Sequence, residues 1–367
     1  MSIENFSVRG RLADTGEGIT ADELQLAARN HGMPLEGLRY DVTPPGLHYV
    51  LVHYDIPATN AGDWLLSVDG CVEQPLAFGL TELRAMGRRT VRVTLECAGN
   101  GRATLQPRPI SQPWLSEAVG TAEWTGVLLS DLLRLAGLRS DAVDVVFTGA
   151  DHGVERGVEQ DYQRGLSVEE AIDSGALVAW EMNGGPLPPQ HGYPLRLVVP
   201  GWYGMASVKW LRSIEVIDHA FDGFQNAVAY RIRTDADDQG VAVTRIEPRA
   251  LLVPPGFPDF MSRHRFVAAG TVPLFGRAWS GWAPIERVEV STDAGVNWHE
   301  AKLGAPSNDE DELAWRAFAF DWEATPGEHV LTVRAYDASG REQPIEAPWN
   351  RGGFSNNTAQ RITVLVT

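Results

Sequence analysis

Cysteine is scarce in this chain, because only Cys71 and Cys97 occur among its 367 residues. Two thiols allow at most one disulfide, and so small a number in a chain of this length is typical of a reducing compartment. The sequence contains no CxxC pair, no CxxCH haem-attachment motif and no Cys/His pair near Cys97. These absences argue against a zinc site and against a haem in this chain.

Long apolar runs are also missing, and none approaches the length that a membrane span needs. The first residues, MSIENFSVRGRLADTGEG, contain no basic stretch followed by an apolar one, so we expect no signal peptide and a cytoplasmic location. Positive charge is in deficit, with 31 Lys and Arg against 48 Asp and Glu and a net charge of −17. This deficit disfavours a nucleic-acid partner, and any site for an anion must be a local cluster of arginines.

Three regions of the chain differ in their patterns. Residues 1–38 are polar and contain one predicted helix, in TADELQLAARN, so we predict an N-terminal extension. Residues 39–240 mix predicted strands (WLLSVDG, AVDVVFTGA, LVAWEMNGG, PLRLVVPG) with predicted helices (LTELRAMG, LLSDLLRLAGL), the last with Leu128, Leu132 and Leu135 on one face. The acidic segment RTDADDQG near the end of this region is a predicted linker.

Residues 241–367 alternate apolar and polar side chains with a period of two, as in EHVLTVRAYDASGRE and QRITVLVT. Turn signals such as Asp293-Ala294-Gly295 and Thr325-Pro326-Gly327 separate these runs. Short strands at this spacing predict an immunoglobulin-like sandwich, here without a disulfide. We therefore predict an α+β protein in which a mixed α/β domain is followed by a β-sandwich.

Cys97 lies where a predicted strand runs into a glycine-rich turn, in VRVTLECAGNGR. The strand alternates, with Val91, Val93 and Leu95 on one face and Arg92, Thr94 and Glu96 on the other. One interpretation of Cys97 is a small buried hydrophobic residue. In the other, the N–H groups of the turn and Arg102 lower the pKa of the thiol, and its thiolate binds a transition metal held mainly by a cofactor.

The segment LECAGNGR resembles the molybdenum-ligand loop of the sulfite oxidase family, in which Cys-Ala-Gly-Asn is followed by an arginine. Three further segments resemble motifs of this family: LHYVLVHYDIP its pterin-contacting segment, WEMNGGPLPPQHGYPLRLVVPGWYGMASVKWL its central signature, and APWNRGGFSNN its C-terminal arginine motif. The resemblance covers the chain from about Leu38 onward. It implies a molybdopterin-binding catalytic domain at 39–240 and a dimerisation domain at 241–367, and hence a homodimer.

The resemblance implies a molybdenum–molybdopterin cofactor, with Cys97 as the metal ligand that the protein supplies. The residues that match the family's pterin and phosphate contacts are Tyr49, His53, Asp151, His191, Arg196, Ser207, Val208 and Lys209. Each has an ordinary structural interpretation when taken alone, for example a solvated charge at a strand end for Lys209. We predict no haem in this chain, so that an external electron acceptor is required.

A second set of matching residues implies a substrate site. Arg102 and Arg351 match arginines that bind an oxyanion, which suits the forked geometry of the guanidinium group. Trp114 and Tyr230 match aromatic residues beside the substrate, although Trp114 also has an interpretation as core filler. The resemblance thus implies Cys97, Arg102 and Tyr230 as the catalytic residues.

One position departs from the family pattern. Where that pattern has Tyr-Val-Arg-Asn-His, this chain has Tyr49-Val50-Leu51-Val52-His53, so a leucine replaces one substrate arginine. The loss of a charge-assisted contact costs about 1.5–3 kcal/mol. We therefore expect Leu51→Arg to lower the KM for sulfite by about tenfold, unless another cation such as Arg108 already takes its place.

These inferences lead to three hypotheses for the function. The first is oxygen-atom transfer that converts sulfite to sulfate and passes electrons to an external acceptor. The second, which the leucine at position 51 favours, is reduction of a sulfoxide or another neutral S- or N-oxide. The third is a non-catalytic binding protein, which the retention of Cys97 and of the phosphate-binding residues argues against.

Overall fold

Two five-stranded sheets form most of the N-terminal two thirds of the protein in the computed structural model, which describes residues 2–3, 6–8, 10–305 and 312–367. Their strands are β1 (Leu65–Gly70), β2 (Leu76–Gly79), β3 (Arg89–Glu96), β4 (Val119–Leu128), β5 (Asp144–Glu155), β6 (Val158–Ser167), β7 (Leu177–Met182), β8 (Gly185–Pro186), β9 (Arg196–Val198) and β10 (Leu211–Ile217). One sheet has the order β2-β1-β10-β5-β6, in which only β1 and β10 are parallel. The other has the antiparallel order β3-β4-β7-β8, with β9 also paired to β7.

Four short α-helices accompany these sheets: α1 (Ala21–Arg29), α2 (Leu80–Ala85), α3 (Leu129–Ala136) and α4 (Val168–Asp173). Helix α3 begins one residue later than its pattern suggested, so Leu129, Leu132 and Leu133 form its buried stripe. The prediction that Leu135 shares this face is wrong, because its side chain points outward and is 54% exposed. No helix among the described residues is long and apolar enough to cross a membrane.

The predicted linker RTDADDQG is the loop of a small β-hairpin. Its strands, β11 (Arg231–Ile232) and β12 (Val241–Ala242), pair in antiparallel fashion. Asp235 closes the loop by accepting hydrogen bonds from the backbone N–H groups of Asp237 and Asp238. Because Tyr230 directly precedes β11, this hairpin holds the end of the segment that carries that tyrosine.

The C-terminal domain is a β-sandwich, as the alternating pattern predicted, and the α+β fold class is confirmed. Its strands are β13 (Arg249–Leu252), β14 (Phe257–Pro258), β15 (Arg265–Val267), β16 (Gly270–Trp279), β17 (Ile285–Ser291), β18 (His299–Glu300), β19 (Lys302–Leu303), β20 (Arg316–Ala324), β21 (Gly327–Asp337) and β22 (Arg361–Val366). They form a four-stranded sheet, β13-β16-β20-β19, and a six-stranded sheet, β14-β15-β22-β21-β17-β18. Apolar side chains from both sheets, among them Leu274, Val288, Phe318, Leu331 and Val364, pack into one core.

Strand β3 lies between the two domains, which its alternating sequence did not indicate. Both Thr94 and Glu96, on its polar face, are buried. The Thr94 hydroxyl accepts a hydrogen bond from the backbone N–H of Trp315 in the C-terminal domain, at 2.7 Å. The polar face of this strand is therefore covered by the sandwich instead of by solvent.

Glu96, one residue before Cys97, makes a polar link between the domains. Its Oε1 accepts a hydrogen bond from the Asn100 side chain at 2.9 Å and lies 2.9 Å from Nε of the buried Arg249 in β13. Its Oε2 accepts a hydrogen bond from the indole N–H of Trp279 in β16 at 2.7 Å. A fully buried carboxylate with these three partners is well compensated, so it holds the end of β3 firmly against the sandwich.

Candidate active site

The loop after β3 is shaped by its two glycines and by Asn100. Gly101 has a φ of +90°, and a Cβ there would lie 2.8 Å from the backbone oxygen of Asn356. A Cβ on Gly99 would lie 2.6 Å from the Arg102 guanidinium, so the glycine lets that side chain fold back over the loop. The Asn100 backbone N–H donates to the carbonyl of Cys97, and its side-chain oxygen accepts from the N–H of Ala118. The motif thus holds Cys97 in one fixed position.

The prediction that the loop lowers the pKa of the Cys97 thiol is wrong. Cys97 is buried, and burial raises the pKa of its thiol because the charged form is poorly solvated there. Arg102, the Gly99 N–H and the Trp114 indole act in the opposite direction, but burial dominates. Such a thiol becomes a good ligand only when a bound metal ion replaces its proton.

A narrow cleft next to Cys97 contains nearly all of the residues predicted to bind the cofactor. Its lining includes Tyr49, His53, Asp151, His191, Arg196, Ser207 and Lys209. Val208 lies behind it, where its carbonyl accepts a hydrogen bond from the N–H of Leu197. Residues from four separate segments of the chain therefore meet at one thiol.

Several buried polar atoms around this cleft have no hydrogen-bond partner among the residues that the structure describes. They are Nε2 of His48, Nε2 of His191 and Oδ1 of Asp151. Burial lowers the pKa of His48 to about 4 and that of His191 to about 2, so both rings are neutral at pH 7. Unsatisfied buried groups are costly, which indicates that a polar ligand completes this cleft.

Two cations, the half-buried Lys209 and the buried Arg196, lie in the same cleft. Lys209 donates to the backbone oxygens of Leu51 and Gln190, and burial lowers the pKa of its ammonium group to about 7. Arg196 donates to the backbone oxygens of His191 and Ser207, and burial lowers its pKa to about 10. Within the described part of the chain, neither has a carboxylate within 4 Å. An anionic group such as a phosphate would supply the missing counter-charge.

A second, wider cavity of about 910 Å³ reaches Cys97 from another side. The four predicted substrate residues, Arg102, Trp114, Tyr230 and Arg351, all line it. Leu51 and His53 line both this cavity and the narrow cleft, so the two spaces meet at Cys97. A large group in the cleft and a second molecule in the wide cavity would therefore come together at the thiol.

Arg102 contributes a buried positive charge to the wide cavity. Its Nε donates to the backbone oxygen of Gly352 at 2.8 Å, and its guanidinium lies 5.1 Å from the centre of the Phe354 ring. Burial lowers its pKa from the usual 12.5, while the nearby Cys97 acts in the opposite direction. No carboxylate of the described residues pairs with it. This environment favours an anionic ligand beside Cys97.

Tyr230 follows a π-helical turn at Gln225–Ala229, a conformation that is frequent at functional sites. Its hydroxyl lies 2.7 Å from Nε2 of His53. Burial lowers the pKa of His53 to about 3 and raises that of Tyr230 well above its usual value. The phenol therefore keeps its proton, and it shares a hydrogen bond with the neutral ring of His53.

The structure excludes Arg108 as a substitute for the missing arginine. Its guanidinium forms a buried ion pair with Glu23 of α1, with Nε 2.9 Å from Oε1, and it also donates to the backbone oxygen of Gly18. Arg108 therefore anchors the N-terminal segment, its charge is already compensated by Glu23, and it does not line the cavity beside Cys97. The side chain of Leu51 remains at the junction of the two spaces, with its neutral surface toward Cys97.

Several residues of the site were missed in the sequence. His48 and Gln190 line the cleft, Arg164 lies with its guanidinium 5.6 Å from the centre of the Tyr230 ring, and Arg233 lines the wide cavity. His48 and Gln190 each precede a residue that was identified, Tyr49 and His191, so their position in the motifs was the available signal. Arg164 and Arg233 carry no such signal in the motifs. Only the fold brings Arg164 close to Tyr230 and Arg233 close to Arg351.

The comparisons with known proteins agree with this geometry. The chain matches the family "oxidoreductase molybdopterin binding domain" over residues 53–225 and the family "Mo-co oxidoreductase dimerisation domain" over residues 257–367. It is similar to the crystal structure of the sulfane dehydrogenase SoxCD from Paracoccus pantotrophus, with a TM-score of 0.79, 26% identity, and coverage of 98% of this chain and 90% of that one.

Among curated proteins, the chain is 30% identical to NADH nitrate reductase 1 of Arabidopsis thaliana over 347 residues, covering 88% of this chain and 38% of the relative. It is also 30% identical to the NADPH nitrate reductase of Phytophthora infestans over 366 residues, covering 91% of this chain and 40% of the relative. The chain thus spans about two fifths of the length of these relatives. The unsatisfied His48, His191 and Asp151, the cations Lys209 and Arg196, and the buried thiol fit a pterin phosphate with a metal. From its matching domains and its fold, this chain belongs to the sulfite oxidase family of oxidoreductases, whose cofactor is molybdenum–molybdopterin.

Proposed function

We propose that this protein oxidises sulfite to sulfate with an external electron acceptor, and that Cys97 would bind the metal that supplies oxygen-atom transfer. The observation that carries this proposal is the buried Arg102, which forms no ion pair with a carboxylate of the described residues and lines the same cavity as Cys97 and Tyr230. A positive charge held at this place favours a small oxyanion. The net reaction adds the oxygen of one water to sulfite and releases two protons and two electrons.

The cofactor is proposed to be held by the residues of the narrow cleft. Lys209 and Arg196 would compensate the phosphate, while His48, His191 and Asp151 would bond to its polar groups and Cys97 would bind the metal. When bound, the molybdenum cofactor supplies a centre that exchanges two electrons and an oxygen atom. The side chains of the wide cavity are proposed to bind the substrate.

Those side chains bind the substrate and keep the site dry. Arg102 and Arg351 attract the oxyanion, and Trp114 and Phe354 supply apolar walls that strengthen this attraction by excluding water. The Tyr230 hydroxyl, which bonds to His53 in this structure, is a donor for an oxygen of the substrate. Its raised pKa keeps it protonated for this role at neutral pH.

A second candidate follows from Leu51. Its neutral side chain lies at the junction of the cleft and the cavity, where it would accommodate an uncharged substrate such as a sulfoxide or an N-oxide. Steady-state assays distinguish the two functions: sulfite with ferricyanide as acceptor, against a sulfoxide with reduced methyl viologen as donor. Nitrate belongs in the second assay, because the matched plant relatives are nitrate reductases. Faster turnover of the sulfoxide or of nitrate would reject the sulfite assignment.

Arg102→Gln tests the oxyanion site. We expect the KM for sulfite to rise by about tenfold to a hundredfold, because a charge-assisted contact of about 1.5–3 kcal/mol is lost. Steady-state kinetics at fixed ionic strength measure this change. Arg134→Gln, which removes an exposed arginine of α3, is the matched control and should leave the KM unchanged. An unchanged KM in Arg102→Gln would contradict a role in substrate binding.

We also propose that the protein is a homodimer formed mainly through its C-terminal sandwich. The match of residues 257–367 to a dimerisation domain supports this arrangement. An obligate two-fold interface of this kind buries more than about 2,000 Å², and such an interface should resist dilution. Sedimentation velocity over a concentration series should therefore show a dimer down to micromolar concentration. A monomer at that concentration would contradict the proposal.

A further inference from the structure

We propose that Arg233 is a further substrate-binding residue, and that Arg102, Arg233 and Arg351 form one binding site for a small dianionic oxyanion. In this site Arg233 supplies the third guanidinium that the leucine at position 51 does not. The inference rests on the proposed function, since it names the class of substrate that the wide cavity takes. Neither the motifs of the sequence nor the matched families assign Arg233.

The backbone of the C-terminal arginine motif brings the three arginines together. The Nε of Arg102 donates to the backbone oxygen of Gly352 at 2.8 Å. The backbone N–H of the adjacent Arg351 donates to the backbone oxygen of Arg233 at 2.8 Å. All three side chains line the cavity that contains Cys97. Residues that are far apart in sequence thus form one positively charged wall.

The guanidinium of Arg233 is available for a ligand. Its Nε is buried and has no hydrogen-bond partner among the described residues, and its one other contact is a long one of 3.5 Å to the backbone oxygen of Ala227. None of the three arginines has a carboxylate within 4 Å in the described ranges. A dianion bound between these arginines would compensate their positive charges.

Three of the four other arginines that line the cavity already have partners, and the fourth, Arg156, adds a positive charge near Arg102. Arg11 pairs with Glu17 at 2.6 Å, and Arg29 donates to Asp55 at 3.3 Å. Arg231, two residues before Arg233, donates to the backbone oxygens of Gln239 and Gly240. Within this one hairpin, Arg231 of β11 is held by the backbone, whereas Arg233 at the start of the loop is free to bind a ligand.

The acidic residues of the cavity do not neutralise this wall. Glu23 pairs with Arg108, Glu155 accepts a hydrogen bond from Gln225, Asp235 accepts two backbone N–H groups, and Asp22 lies in the first turn of α1. None of them forms an ion pair within 4 Å with the three arginines in the described part of the chain, although Glu155 acts electrostatically on Arg102 and Asp238 of the hairpin acts on Arg233. Because the net charge of the chain is −17, this positive cluster is a local feature of the cavity and not part of a generally basic surface.

Binding of sulfate to the purified holoenzyme tests the inference without turnover. Isothermal titration at constant ionic strength should show that Arg233→Gln weakens sulfate binding by at least tenfold, whereas Arg233→Lys retains most of the affinity. Arg231→Gln, the matched control in the same hairpin, should change the affinity by less than threefold. Thermal unfolding of each variant verifies that the fold is retained.

A double-mutant cycle with Leu51 sharpens the test. In the wild type, where three guanidinium groups are already present, Leu51→Arg should improve sulfate binding by less than threefold. In the Arg233→Gln background, the same substitution should improve sulfate binding by at least tenfold. Equal gains in both backgrounds would show that the two positions bind independently, and the inference would be wrong.

Two further outcomes separate this inference from the proposed function. If Arg233→Gln binds sulfate as tightly as the wild type, or if the wild type binds sulfate no better than chloride, the three-arginine site is rejected. If sulfate binding depends on Arg233 but sulfite is not oxidised, the oxyanion site stands and the proposed reaction falls. The binding assay therefore tests the three-arginine site, and the turnover assay tests the proposed reaction independently of it.

Discussion

Cys97→Ser should lower turnover by at least about a thousandfold, equivalent to about 4 kcal/mol on the activation barrier. The reason is chemical, because a soft thiolate is a far better ligand for a redox-active metal than a hard alkoxide. The substitution preserves size and lies in a loop that Asn100 and Gly101 hold independently of the sulfur. The fold should therefore remain intact while the chemistry is lost.

Three measurements on the same preparation check this expectation. Metal analysis of the wild type should give about one molybdenum per chain, as a single cofactor site requires. Pterin fluorescence after denaturation should show that Cys97→Ser still binds the pterin, since the proposed contacts of Lys209, Arg196 and His191 do not involve the sulfur. Cys71→Ser, at the other cysteine, is the control and should keep wild-type rates. Wild-type rates in Cys97→Ser would mean that Cys97 is not the ligand.

Glu96→Ala should destabilise the protein by about 3–5 kcal/mol, because it removes one partner of a buried ion pair. Arg249 would then be left as a buried cation without its carboxylate, and Trp279 and Asn100 would each lose an acceptor. These contacts join the end of β3 to the sandwich directly before Cys97. We expect the two domains to lose much of their cooperativity in unfolding.

Urea denaturation followed by tryptophan fluorescence measures this loss. Glu181→Ala is the matched control, since Glu181 pairs with the largely exposed Arg88 on the same sheet and should cost at most about 1 kcal/mol. Trp279→Phe removes only one hydrogen bond to Glu96 and should cost an intermediate amount, about 1–3 kcal/mol. Equal stabilities of Glu96→Ala and Glu181→Ala would contradict the bridging role of Glu96.

Much of the architecture could be predicted from local patterns. The period-two alternation after residue 241 identified the sandwich, and the strands around WLLSVDG, AVDVVFTGA and LVAWEMNGG correspond to β1, β5 and β7. Such patterns work because side chains on a strand alternate between two faces whatever the rest of the protein does. The same rule failed for the polar face of β3, because the rule cannot tell that a second domain covers that face.

The prediction of the thiol's pKa failed for a similar reason. The sequence placed Arg102 close to Cys97, which was correct, and a nearby cation does lower the pKa of a thiol. Sequence distance contains no information on burial, however, and burial of Cys97 has the larger and opposite effect. The position of Leu135 in α3 depended in the same way on the residue at which the helix begins.

By itself, the sequence determined the two-part α+β organisation, the cysteine loop and the four motifs that identify the family. These features are local, because each is written in a short run of residues whose spacing sets its chemistry. Only the tertiary structure decided which charges are free. It pairs Arg108 with Glu23 and ties Arg231 to a hairpin, but it leaves Arg233 beside Arg351 and Arg102 in the cavity of Cys97. The availability of a side chain depends on contacts between distant segments, and those contacts exist only after the chain has folded.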